Sequence, residues 1–147
     1  MKTVTKSVLL WYSAPEMYAL VTDVNQYSTF LPWCDHARVL SADLQGMLAE
    51  IGISFGGIRQ TFITRNEHVA GRQVTIKLVK GPFSRLDGEW KFTPLGDGSQ
   101  RACRVELTLN YGFDNGALST LVGPVFDKIA AGMVDAFVKR AGHVYAD

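Results

Sequence analysis

The chain has 147 residues, of which 47% are hydrophobic and 20% charged, with 15 Lys+Arg against 14 Asp+Glu. That length suits one domain, residues 1–147, burying about two-thirds of its unfolded surface, and no run approaches the ~18 apolar residues of a membrane span. Two cysteines distant in sequence, Cys34 and Cys103, and three scattered histidines, His36, His68 and His143, exclude a disulfide scaffold and a zinc-ligand spacing.

The opening residues, MKTVTKSVLLWY, lack the charged region, apolar core and cleavage site of a signal peptide, so a reducing cytoplasm is the expected compartment. Residues 3–12 are rich in β-branched and aromatic types and predict a first strand. Ser13 with Glu16 three residues on is a capping box, and Pro15 sits where its missing N–H is harmless, predicting a short helix to about Asp23. A second short helix over about 24–30 is stopped by Pro32.

YSTFLPWCDH, residues 27–36, sets Phe30, Leu31 and Trp33 around Pro32 and runs into Cys34, Asp35 and His36. It cannot continue a helix through Pro32 and lacks the alternation of a strand, so it reads as a loop or helix end. Three uses are open: core beneath a loop, the lip of a pocket for an apolar ligand, or a contact surface.

From there to residue 113 the period is two. MLAEIGISF places Met47, Ala49, Ile51, Ile53 and Phe55 on a buried face, and Gly56 and Gly57 predict a hairpin turn. QVTIKLV buries Val74, Ile76 and Leu78 with Thr75 and Lys77 outside, and RLDGEWKFT buries Leu86, Trp90 and Phe92. CRVELTLNYGF sets Cys103, Val105, Leu107, Leu109, Tyr111 and Phe113 against Arg104, Glu106, Thr108 and Asn110. These predict antiparallel strands joined by turns at VKGPFS and PLGDGSQ.

Residues 116–145 switch to spacings of three and four at Leu118, Val122, Val125, Ile129, Met133, Ala136 and Val144, which predicts a long amphipathic helix. At 1.5 Å per residue it spans roughly 45 Å, enough to cross a sheet of about seven strands. Pro124 beside Gly123 predicts a kink or the true start of this helix. The order of elements implies an α+β fold, a curved antiparallel sheet around the closing helix, with two short helices after the first strand.

The inward strand faces carry almost no charge. A large twisted sheet around one long helix leaves space that these side chains either fill as a dry packed core or leave as a cavity, with Tyr111, Asn110 or Thr108 as candidate polar wall groups. Catalysis is the weakest class: no two histidines are expected within hydrogen-bond reach, His68 is read as part of a polar turn, and Glu50 faces outward. Net charge is uneven, −2 over residues 1–57, +5 over 58–104 and −2 over 105–147. The basic middle is interleaved with apolar residues, as on the wet faces of strands.

YSTFLPWC, KGPFSRLDGEWKFTP and AFVKRAGHVY resemble the coenzyme Q-binding and ribosome-association toxin (RatA) group of the START-like, polyketide cyclase superfamily. The likeness spans nearly the whole chain and rests on FLPWC combined with L-x-G-x-W-x-F, formed by Leu86, Gly88, Trp90 and Phe92. It implies a helix-grip fold whose deep apolar cavity, entered near the short helices, binds a lipid such as a polyisoprenoid quinone (ubiquinone) in support of respiratory electron transport. No cofactor or metal is required. Phe30, Leu31, Pro32 and Trp33 would form the mouth, with Leu31, Trp33 and Trp90 serving binding more than folding. Ile51, Ile53, Phe55, Val74, Ile76, Leu78, Leu86, Phe92, Leu107 and Leu109 would line the sheet wall, and Val125, Ile129 and Met133 the helix wall.

The same resemblance implies an alternative, binding to the large ribosomal subunit with a block on subunit joining. Arg59, Arg65, Arg72, Lys77, Lys91 and Arg104 would then form a basic face for rRNA phosphates, or for anionic lipid headgroups in peripheral contact with the inner membrane of a bacterium. No DNA partner is expected.

Overall fold

The computed structural model describes residues 2–55, 57–97 and 99–145. Strand β1 (Lys2–Leu10) is followed by helix α1 (Ala14–Thr22), a 3-10 turn (Val24–Gln26) and helix α2 (Tyr27–Phe30). Strands β2 (Cys34–Ala42), β3 (Gly46–Phe55), β4 (Ile58–Val69), β5 (Gln73–Lys80), β6 (Phe83–Pro94) and β7 (Cys103–Phe113) precede helix α3 (Gly116–Val144). The seven strands form one antiparallel sheet in the order β1-β7-β6-β5-β4-β3-β2. The first strand thus closes onto the last, and the helices cover the inner face.

Local signals account for the helix ends. The Ser13 hydroxyl accepts from the Glu16 amide at 3.1 Å while the Glu16 carboxylate accepts from the Ser13 amide at 2.8 Å, the reciprocal box the sequence predicts. Asn115 caps α3 by accepting from the Leu118 amide at 2.9 Å. The helix therefore begins ahead of Pro124 and continues through it, so the expectation that Pro124 marks its start is corrected.

The tail of the FLPWC stretch is strand, not loop. Register shifts between Cys34 and His36 and between Val39 and Ser41 insert bulges into β2, which scrambles the period-two pattern on which sequence reading depends. At the β3–β4 turn, Phe55 pairs with Ile58 and Gly57 adopts φ 84°, a conformation that favours glycine; Gly56 lies outside the described residues.

Helix α3 buries Val122, Phe126, Ile129, Ala130, Val134, Phe137 and Ala141. The stripe expected from spacing is rotated: Val125, Met133 and Ala136 flank it half-buried, and Val144 is exposed. Phe126 lies against Tyr111 at 4.6 Å between centroids and against Phe83 at 5.0 Å, and Phe83 stacks on Phe113 at 5.1 Å. This aromatic cluster seats the first half of α3 on β6 and β7. The Tyr111 hydroxyl donates to Asp127 at 2.5 Å, and Lys2 pairs with the same carboxylate. Tyr145 donates to the Glu16 carbonyl at 2.8 Å, tying the far end of α3 to α1.

Candidate functional site

Because α3 packs on β1 and β7, the inner faces of β3, β4 and β5 stand away from it. Between them lies a cavity of about 90 Å³. A single water needs about 10–15 Å³, so the space suits a ring or a few methylenes. Its sheet wall is Ala49 and Ile51 of β3, Phe62, Thr64 and Asn66 of β4, Ile76 of β5, Leu86 and Trp90 of β6, and Leu107 and Leu109 of β7. The helix wall is Phe126, Ile129, Met133 and Phe137, closed by Val24, Tyr27 and Trp33. Tyr27, Trp33, Asn66, Ile76 and Met133 are only half-buried, so the rim runs past them.

Packing fixes the aromatic walls. Phe137 meets Trp90, Tyr27 and Phe30 edge-on, each at 5.4 Å. The Tyr27 hydroxyl donates to the Val21 carbonyl, so this residue turns its ring and not its oxygen to the cavity. A Cβ at Gly88 would sit 2.1 Å from the Thr108 carbonyl oxygen and 2.9 Å from Leu109, which explains the glycine of L-x-G-x-W-x-F as the close approach that lets Leu109 reach the wall.

Of the sequence-predicted set, the structure brings together Trp33, Ile51, Ile76, Leu86, Trp90, Leu107, Leu109, Ile129 and Met133 around the cavity. Leu31, Ile53, Val74 and Phe92 are buried in the core behind it and do not line it. Leu31 in particular, at 1% exposure, is not a mouth residue. Phe55 is 43% exposed at the end of β3 with the Lys128 ammonium 6.0 Å from its ring, because the pleat no longer has a partner above it at the hairpin tip. Leu78 and Val125 are half-buried outside the lining, and Phe30 and Pro32 border a separate groove against α3, where Arg140 lies 4.9 Å over Phe30.

The polar wall is not where the sequence placed it. Asn110 faces outward and donates to Asp87 at 3.0 Å, Thr108 shares that face, and the Tyr111 hydroxyl is engaged by Asp127. Burial and the Asp127 carboxylate raise the Tyr111 pKa. The polar members are Thr64 and Asn66, which follow Phe62 along the inner face of β4. The Thr64 hydroxyl donates to Asn66 Oδ1 at 2.8 Å.

His68, the next inward position, lies on β4 and not in a turn. It is half-buried, edge-on to Tyr18 at 6.0 Å, and its Nε2 has no hydrogen-bond partner among the described residues. Burial, aided by Arg65, lowers its pKa and favours the neutral imidazole. Burial pushes the Cys34 thiol up to about 11, so it acts as a small hydrophobe, donating only to the His36 carbonyl at 3.3 Å. Glu50 faces away from the cavity and holds Arg38 at 2.8 Å.

The basic residues do not gather into one patch. Arg65 is paired with Asp43 at 3.2 Å and Lys91 with Glu89 at 3.4 Å. Arg59, Arg72, Lys77 and Arg104 are exposed; Arg59 sits beside the β3–β4 tip, Arg72 in the β4–β5 turn, and Lys77 and Arg104 on the outer face. Beside Trp33, whose carbonyl accepts from the Ser54 amide at 2.8 Å, the hairpin tip shows Phe55 with Arg59 next to it and Lys128 of α3 over the Phe55 ring.

Seven antiparallel strands curved about one long helix, with two short helices after the first strand, define a START-like helix-grip domain. A START superfamily protein from Mycobacterium smegmatis superposes with a TM-score of 0.79 over 97% of this chain and 98% of that one, at 18% identity. Residues 10–138 match the family described as polyketide cyclase / dehydrase and lipid transport, and the chain belongs to that family. Among named relatives, the ribosome association toxin RatA of Escherichia coli is 43% identical over 99% of this chain and 90% of its own length. The mitochondrial coenzyme Q-binding protein COQ10 homolog B of Xenopus laevis is 30% identical over 96% of this chain and 58% of its own. No helix among the described residues is long and apolar enough to cross a membrane.

Proposed function

We propose that this protein is a non-catalytic binder of an apolar, ring-bearing lipid of the polyisoprenoid quinone class, held in the cavity between α3 and the inner faces of β3–β7. The observation that carries the reading is the cavity itself, walled by aliphatic and aromatic side chains with one bonded amide–hydroxyl pair. Among the described residues the lining holds no carboxylate, thiol or imidazole, which acid–base or nucleophilic chemistry would use. The space accepts a headgroup or a terminal isoprene and not a whole chain, so the remainder lies along the rim at Trp33 and Met133. At ~0.8 kcal/mol per buried CH₂, one isoprene unit supplies roughly 3–4 kcal/mol before ordering costs. Phe55, Arg59 and Lys128 beside that rim suit peripheral contact with an anionic bilayer, from which such a lipid is taken.

A second reading, association with the large ribosomal subunit, is favoured by the full-length likeness to the Escherichia coli toxin. Arg59, Arg72, Lys77 and Arg104 are the cations available to it, since Arg65 and Lys91 are held in ion pairs.

Mass spectrometry of organic extracts from the purified protein, run beside sedimentation with large ribosomal subunits, separates the two. A near-stoichiometric prenyl lipid supports the binder. An extract without lipid, from protein that sediments with large subunits in a salt-sensitive manner, overturns it in favour of the ribosome partner.

A further inference from the structure

The β4 inner face runs Phe62, Thr64, Asn66, His68, so three of four consecutive core-facing positions are polar, whereas the inner faces of β3 and β7 are apolar. Thr64 is 3% exposed, and its hydroxyl spends its proton on Asn66 Oδ1 at 2.8 Å. That bond fixes which way the amide points. With the oxygen engaged by Thr64, the Asn66 Nδ2 donors are left without a partner among the described residues, on a side chain that lines the cavity. The Tyr27 hydroxyl is bound to the Val21 carbonyl and offers the cavity no polar atom. Asn66 is half-buried, so donors without a protein partner beside an apolar space are met by water when the cavity is empty and by an acceptor on a ligand when it is filled.

We infer that Asn66, oriented by Thr64, is the specificity residue of the cavity and donates a hydrogen bond to a neutral acceptor, a carbonyl oxygen, on an otherwise apolar ligand. The acceptor is neutral because no cation among the described residues lines the cavity to balance a carboxylate or phosphate. A ring carbonyl placed at Asn66 leaves the ring beside Ile76, the partner of Asn66 across β4 and β5, within the apolar walls of the cavity. Thr64 is a positioning residue: it touches the amide and sets its direction. The inference rests on the lipid-binding reading above and assigns the residue that recognises the ring carbonyl of its ligand.

The test compares two probes of the same shape, duroquinone and its carbonyl-free counterpart durene, by equilibrium dialysis against the wild type, Asn66→Ala and Thr64→Val. The wild type should prefer duroquinone by about three- to tenfold, the range one net hydrogen bond supplies. Asn66→Ala should bring the ratio close to one, and Thr64→Val, which leaves the amide free to turn, should lower it part of the way. The ratio within each variant is the readout, so a change in cavity size that weakens both probes alike does not imitate the effect. Durene and duroquinone bound equally by the wild type, or a preference that survives Asn66→Ala, overturns the role of Asn66 while leaving the lipid-binding reading intact. Binding of neither probe overturns both.

Discussion

Strands β7 and β4 both turn an alternating face toward α3, yet they serve different ends. On β7, Cys103, Val105, Leu107, Leu109 and Tyr111 are all buried, none above 5% exposure, and α3 lies against the strand. On β4 the corresponding face is mostly polar, and Asn66 and His68 remain half-buried. The polar ties follow the same division: among the described residues, side-chain hydrogen bonds from α3 reach β1, β7 and α1 through Lys2–Asp127, Tyr111–Asp127 and Tyr145–Glu16. A long helix fastened along one side of a curved sheet leaves room on the other. The packed side gives stability, and the unfilled side gives a site.

The largest expected effect is on the core just behind the cavity. Phe92, 1% exposed, stands edge-on to Tyr18 at 5.9 Å and stacks on Trp90 at 6.1 Å; Phe92→Ala should cost ~3–5 kcal/mol in urea unfolding. Leu31→Ala should follow at ~2–4 kcal/mol with ligand affinity of the folded fraction retained, because this side chain is core and not rim. A cost under about 1 kcal/mol, or selective loss of ligand, would restore Leu31 to the mouth.

Tyr111→Phe removes the donor to Asp127 and should cost ~1.5–3 kcal/mol, the range for a bond to a charged acceptor. Thermal unfolding should show it, and the loss should shrink when Lys2→Met is already present, since both donors hold one carboxylate. Trp33→Ala tests the opposite side of the molecule. The half-buried indole should cost only ~1–2 kcal/mol and chiefly lower lipid retention; a loss of several kcal/mol with normal binding would make the loop core.

The smallest effect is titratable. Hydrogen bonds from Arg101, opposed by burial and joined by those from Ser13, bring the Glu16 carboxyl from 4.5 to about 2. Its folded pKa is lower than its unfolded one, so its stabilisation is complete above about pH 4.5 and is lost as pH falls toward 2. Glu16→Gln keeps a side chain able to cap α1 but removes that charge. Its stability deficit should be at most about 1 kcal/mol at neutral pH, as for a solvent-touching ion pair, and should vanish in acid.

Apolar alternation made β3, β5, β6 and β7 legible in the sequence, and the capping box and the change to helical spacing made α1 and α3 legible. It is silent on β2, whose bulges break the period, and on β4, where Thr64, Asn66 and His68 stand at inward positions that a hydrophobicity pattern treats as outward. The cavity was thus half readable: Trp33, Ile51, Ile76 and Trp90 declare themselves, whereas the polar pair does not. The hairpin at Gly57 was the one signal that could have found it, since counting back and forth from Phe55–Ile58 pairs Ile51 with Phe62 and Ala49 with Thr64, fixing the register of that face. The rotated stripe of α3 has another cause. Phe126 and Phe137, not Val125 and Met133, are the large groups that the sheet accommodates.

Filling the cavity tests the central claim most directly. Ala49 is 1% exposed and lines the space, so Ala49→Leu adds volume where there is room for it. Organic extracts of the wild type and of Ala49→Leu, prepared in parallel and weighed against the folded fraction of each by circular dichroism, should yield a prenyl lipid from the wild type and little or none from the variant. Equal lipid from both proteins, or none from either, would contradict a ligand held between α3 and the sheet.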